Sequence, residues 1–147
     1  MTLPLRPEAD ALRIGMLAGI FTRSDAVTWA DLAIAELDKP CGELIDLSTS
    51  EGLDGSSFAA LLGSIPGEVD LGLTKRILLG RLGAKLAKGA DLASLAPSLA
   101  QLADLVTLTD DEKRLAARLS GSTPTDELRR DAEKILAACE QTRLSDP

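Results

Sequence analysis

Apolar positions recur at helical spacing along nearly the whole chain. Leu12, Met16 and Ile20 fall at i, i+4 and i+8, and predict a helix that starts after Pro7 and runs to about Gly19. Val27, Ala30, Ile34 and Leu37 predict a second helix, with Ser24 as its N-cap and Asp25 in its first turn. Pro40 stops it, because the residue before a proline is pushed out of helical geometry. A short helix over 42–47 carries Leu44, Ile45 and Leu47, and the polar stretch 48–55 (STSEGLDG) reads as a loop. Phe58, Leu61, Leu62 and Ile65 then predict a fourth helix ending at Pro66-Gly67.

The longest periodic stretch is 68–88. Leu71, Leu78, Leu82 and Leu86 share one side of its helical wheel, and Leu73, Ile77 and Ala84 another. A helix apolar nearly all round belongs at the centre of its fold. Gly72, Gly80 and Gly83 lie in a strip between the two sides. Each costs about 1 kcal/mol relative to Ala inside a helix, so the strip asks for a close-packing neighbour. Arg81, Lys85 and Lys88 make a narrow basic stripe; pairing with acids elsewhere explains it better than a lipid or nucleic-acid surface.

Leu92, Leu95, Leu99, Leu102 and Val106 predict a helix over 91–106 that either kinks at Pro97 or begins there. Thr109 and Glu112 form a capping-box pattern for the next helix, which is expected to end before Gly121. A last helix opens with Thr123-Pro124, buries Leu128, Ala132, Ile135 and Cys139, and pairs Asp126 with Arg130 and Arg129 with Glu133. The tail 142–147 is expected to fray. Strand signals are weak, and no run alternates cleanly. The expected fold is all-α: one bundle of seven or eight helices over 1–147, built around the glycine-containing helix at 68–88.

Composition narrows the function more than it names it. The chain has 147 residues, 45% hydrophobic and 27% charged, which reads as a folded domain with a real core. It has no His and no Tyr, which excludes His triads, His general bases and His-ligated metals. Cys41 and Cys139 stand alone, with no CxxC, and read as reduced thiols. The glycines at 67 and 72 have phosphate-loop spacing, but Leu73-Thr74 follow where Lys-Ser/Thr is needed. No nucleophile–base pair stands out, so the expectation is a protein that is not an enzyme and holds no cofactor or metal. The longest uncharged run is 13 residues, 55–67, too short to span a bilayer, and the first ten residues show no leader pattern. A cytoplasmic protein without membrane contact is the reading.

The net charge of −7 is uneven. Residues 1–70 hold 12 acids and 4 bases, 71–90 hold 5 bases and no acid, and 91–147 hold 11 acids and 7 bases. An acidic chain is a poor nucleic-acid binder, but it is compatible with a basic protein partner. The segment Val27-x-Trp29-Ala30-Asp31-x-x-Ile34, followed by Pro40-x-x-Glu43-Leu44-Ile45-x-Leu47-Ser48, resembles small helical bacterial immunity proteins that accompany polymorphic toxins. The resemblance spans residues 27–48. It implies a cytoplasmic inhibitor that blocks a cognate toxin by occlusion, and carries no catalytic set. The candidate contacts to a basic toxin domain are Asp25, Trp29, Asp31, Leu32, Glu36, Asp38, Glu43 and Asp46. Trp29 is either a core residue or an interface anchor at this point. Two alternatives stand beside this reading. One is a secretion chaperone or adaptor, usually a mixed α/β dimer. The other is a small ligand-binding bundle. The Leu-rich faces can close a monomer core or a homodimer seam.

Overall fold

The computed structural model describes residues 5–89, 92–121 and 126–137. Among them are eight helices and no strand: α1 (Leu5–Leu17), α2 (Arg23–Glu36), α3 (Gly42–Ser48), α4 (Gly55–Gly63), α5 (Leu71–Ala87), α6 (Leu92–Leu105), α7 (Asp110–Gly121) and α8 (Asp126–Ala137). The protein is an all-α bundle. The strand content that a secretion chaperone of the usual kind would bring is missing from the described residues.

Local chemistry sets the boundaries. α1 starts two residues before Pro7, whose missing N–H is harmless in the first turn. It ends in a Schellman motif: Gly19 has φ +74°, its N–H reaches Met16 O, and the Ile20 N–H reaches Gly15 O at 2.7 Å. That turn sends Ile20 and Phe21 back into the core. α2 is capped by Thr22, not by Ser24. The Thr22 hydroxyl accepts from the Asp25 N–H and the Asp25 carboxylate accepts from the Thr22 N–H, closing a capping box two residues earlier than the sequence pattern suggested. Thr109 and Glu112 close the expected box at α7. That helix continues through Gly121, so Gly121 is not the residue beyond its end. α6 runs unbroken through Pro97, which is exposed, while Leu95, Leu99 and Leu102 on its inner face are buried. The apolar face holds the helix despite the lost backbone donor. The opening of α8 at 123–124, the side chain of Ile135, Cys139 and the tail lie outside what the structure describes.

Packing divides the chain into α1–α4 and α5–α8, joined by α1 lying against both α5 and α6. α5 is buried on most of its circumference by Leu73, Ile77, Leu78, Leu79, Leu82 and Leu86. It packs chiefly on α1 and α8. The centre is therefore shared: α1, which also contacts α2 and α4, is as central as the helix at 71–87. Gly15 is the close-approach glycine at this contact, since a Cβ there would overlap the Phe21 ring and lie 3.0 Å from Leu78 Cδ2. Gly72 meets only the Asp70 carboxylate, so it is not part of a helix-packing strip.

Polar side chains fasten the elements. The Arg6 guanidinium donates to Gly63 O (2.6 Å) and Ile65 O (3.2 Å) at the end of α4, and pairs with buried Asp10. The Thr74 hydroxyl donates to Pro7 O at 3.0 Å. Arg129 donates to Leu86 O at 2.7 Å and ties α8 to the end of α5. These bonds satisfy carbonyls at or near helix ends.

Candidate functional site

The basic stripe of α5 turns inward. Arg81 is buried, lies 3.5 Å from Asp25 and sits over the Phe21 ring. Lys85 donates to Ile20 O at 2.7 Å, and burial first, then the neighbouring Arg81, lowers its pKa. Two of the three cations are thus structural: Arg81 meets an acid, as expected, while Lys85 is held by a backbone carbonyl.

α2 presents Ala26, Trp29, Ala30 and Ala33 to the core. The alanines let α3 pack closely, and Trp29 fills the space beside them with no exposed surface. Its indole N–H donates to Glu8 Oε2 at 2.9 Å, pairing a buried carboxylate on α1. Trp29 is therefore corrected from candidate anchor to core residue: its ring has no face left for a partner. Asp25 is likewise corrected, since it is held by the α2 cap and by Arg81.

The other six candidates gather on the α2–α3 pair. Asp31 is exposed and accepts from the Ser48 hydroxyl, fixing α3 against α2. Leu32 (38% accessible) and Glu36 are exposed on α2, Asp38 on the connection, Asp46 on α3, and Glu43 is half-buried in the first turn of α3. Asp38, Glu43, Asp46 and the nearby Glu51 make no side-chain hydrogen bond or ion pair among the described residues. Residues 24–57 hold eight carboxylates and a single base, Lys39.

Three residues belong to this face without having been singled out from sequence: Ile45, Leu53 and Glu51. Ile45 is 47% exposed, because Leu44 and Leu47 take the inner side of α3. The spacing of 44 and 47 already separates Ile45 from them, and that was the available signal. Leu53 lies in the polar loop, where no periodicity places it. At the α3–α4 junction, Asp46, Thr49, Leu53, Ser57, Ala60 and Leu61 line an open cleft of about 510 Å³. The Thr49 hydroxyl donates to Ile45 O, and the Ser57 N–H donates to Asp54. Asp54 caps α4 through the Ser57 N–H at 2.7 Å. That bond chiefly, then the Ser57 hydroxyl and Arg23, holds its carboxyl below the usual value of 3.8. Arg23 in turn donates to Ser50 O at 2.7 Å and stacks 4.4 Å from the Phe58 ring centroid, so the loop beside the cleft is braced on both sides.

Other depressions are chemically different. The one between α7 and α8 mixes Asp111, Arg114, Arg118, Asp131 and Lys134, with Arg118 and Asp131 paired at 2.9 Å. Those near the start of α5 expose Val69 and Leu71 beside Glu68 and Asp70. Among the described residues no group of three or more His, Cys, Asp or Glu has metal-holding geometry, and no helix is long and apolar enough to cross a membrane.

No family model, curated protein or solved structure matches the chain. The functional reading therefore rests on the α2–α3 face itself.

Proposed function

We propose that this chain is a non-catalytic protein-binding module whose α2–α3 face engages a basic protein, most concretely as an immunity-type inhibitor that occludes a toxin domain. The observation that carries the reading is the composition of that face. Asp38, Glu43, Asp46 and Glu51, which make no side-chain hydrogen bond or ion pair among the described residues, share the α2–α3 pair and its connections with exposed Leu32 and Ile45. Clustered like charges repel one another in the free protein, and a cationic partner removes that repulsion and is steered toward it. The apolar residues supply the area that charge alone does not.

Affinity capture from lysate of the cells that make the protein tests this, using the native chain beside the Asp38→Asn, Glu43→Gln, Asp46→Asn, Glu51→Gln variant. The expected result is one stoichiometric basic protein, lost in high salt and not captured by the variant. Expressed alone, that protein should arrest growth, and co-expression of this chain should restore it. Equal capture by both forms would remove the face from the reading. A captured protein that is harmless on its own would remove the toxin.

A further inference from the structure

We infer that the α3–α4 cleft is the specificity pocket of this face, and that it receives one apolar side chain of the partner, flanked in the partner's sequence by Lys or Arg. The inference rests on the protein-binding reading above and names the chemistry of the segment bound.

The cleft walls are Leu53, Ala60 and Leu61, and the Thr49 hydroxyl already donates to Ile45 O. An entering group therefore meets the apolar walls Leu53, Ala60 and Leu61 with the Asp46 carboxylate in the same lining, which favours a hydrocarbon or aromatic side chain carried beside a cationic one. Charge selects what surrounds it. Asp46 on the wall and Glu51 in the bordering loop make no side-chain bond among the described residues, and the segment 24–57 carries eight carboxylates against Lys39. An acidic or neutral segment would leave those carboxylates uncompensated on closure, whereas a basic one pairs them at the rim. The pocket is also preformed. Asp54 caps α4, Arg23 braces the loop on Ser50 O and Phe58, and the Thr49 hydroxyl closes the end of α3. Little ordering cost remains to be met on binding.

Selection of a displayed random-peptide library on the full chain tests this, followed by affinity measurements on the enriched peptides at low and high salt. The enriched sequences should share an apolar residue with Lys or Arg on both sides. Ala60→Phe, which fills the cleft from an exposed helical position, should weaken their binding about tenfold or more and leave the salt dependence unchanged. Leu53→Ser, a loop change that removes a wall, should weaken it in the same way, and circular dichroism checks that both variants stay helical. Basic peptides that lack the apolar residue, or that bind both variants as well as the native chain, would overturn the pocket and leave the electrostatic face standing. Enriched peptides without basic residues, affinity indifferent to salt, or no enrichment would overturn both.

Discussion

At the residue scale, burial separates roles that composition leaves mixed. Trp29 is the single tryptophan, so its fluorescence reports its own surroundings. Emission should be blue-shifted and resistant to acrylamide in the native state, and red-shifted and quenchable in urea. Trp29→Phe leaves Glu8 Oε2 without that donor and is expected to cost about 1–3 kcal/mol in urea denaturation. The α2 cap gives a second contrast. Thr22→Ala should lose about 1 kcal/mol, while Ser24→Ala, at the second position of the helix, should change little. Asp54 gives a pH signature. Its folded pKa lies below the unfolded value of 3.8, so its contribution is present above 3.8 and lost as pH falls through the folded value. Asp54→Asn keeps a capping residue but not the titration. The acid limb of its stability–pH curve should be flatter than the native one below 3.8. Lys85 also titrates below its ordinary value, but at neutral pH it is destabilising where Asp54 is stabilising. Its lowered pKa makes the charged form a cost at neutral pH, relieved as pH rises from the folded value toward 10.5.

At the element scale, the α1–α5 contact joins the two halves of the bundle, and Gly15 permits it. Gly15→Ala would drive a methyl group into the Phe21 ring and against Leu78. Thermal melts should show a loss of about 1–3 kcal/mol, although alanine is the better helix former. A gain in stability would mean that Phe21 moves aside easily. Helix faces were legible in sequence where one apolar stripe dominates, as at Leu95, Leu99 and Leu102 or Phe58 and Leu62. On α2 they were not. Val27, Ile34 and Leu37 have the expected spacing but are only partly buried, and the core face is made of alanines and Trp29. Alanine carries almost no periodic hydrophobic signal, so the true face was hidden beside a more apolar one.

At the scale of the whole molecule, one continuous core predicts one cooperative transition. Urea unfolding followed by Trp29 fluorescence, which reports the α1–α4 side, and by far-UV circular dichroism, which reports all helices, should coincide. Separate midpoints would mean that the α1–α4 and α5–α8 groups unfold independently. Charge is also organised at this scale. The carboxylates of residues 24–57 stay on the surface of α2, α3 and their connections, while Arg81 and Lys85 of the basic stripe turn inward. Among these acids Asp25 lies against Arg81, whereas Asp38, Glu43, Asp46 and Glu51 make no side-chain bond among the described residues.

The sequence by itself determined the helical class, a bundle of seven or eight helices, the loops around Pro40 and 48–55, and the acidic bias of the first half. These follow from short-range rules: period, caps and breakers act over a few residues. Only the tertiary structure decided which acids remain free. Asp25 and Asp46 are alike in sequence, and one lies against Arg81 some 56 positions away while the other borders a cleft. It also decided that Trp29 faces Glu8 instead of solvent, and that Leu53, in a polar loop, forms a wall of that cleft. Pairing and burial of this kind depend on residues brought together by packing of distant helices, and no local pattern encodes those partners.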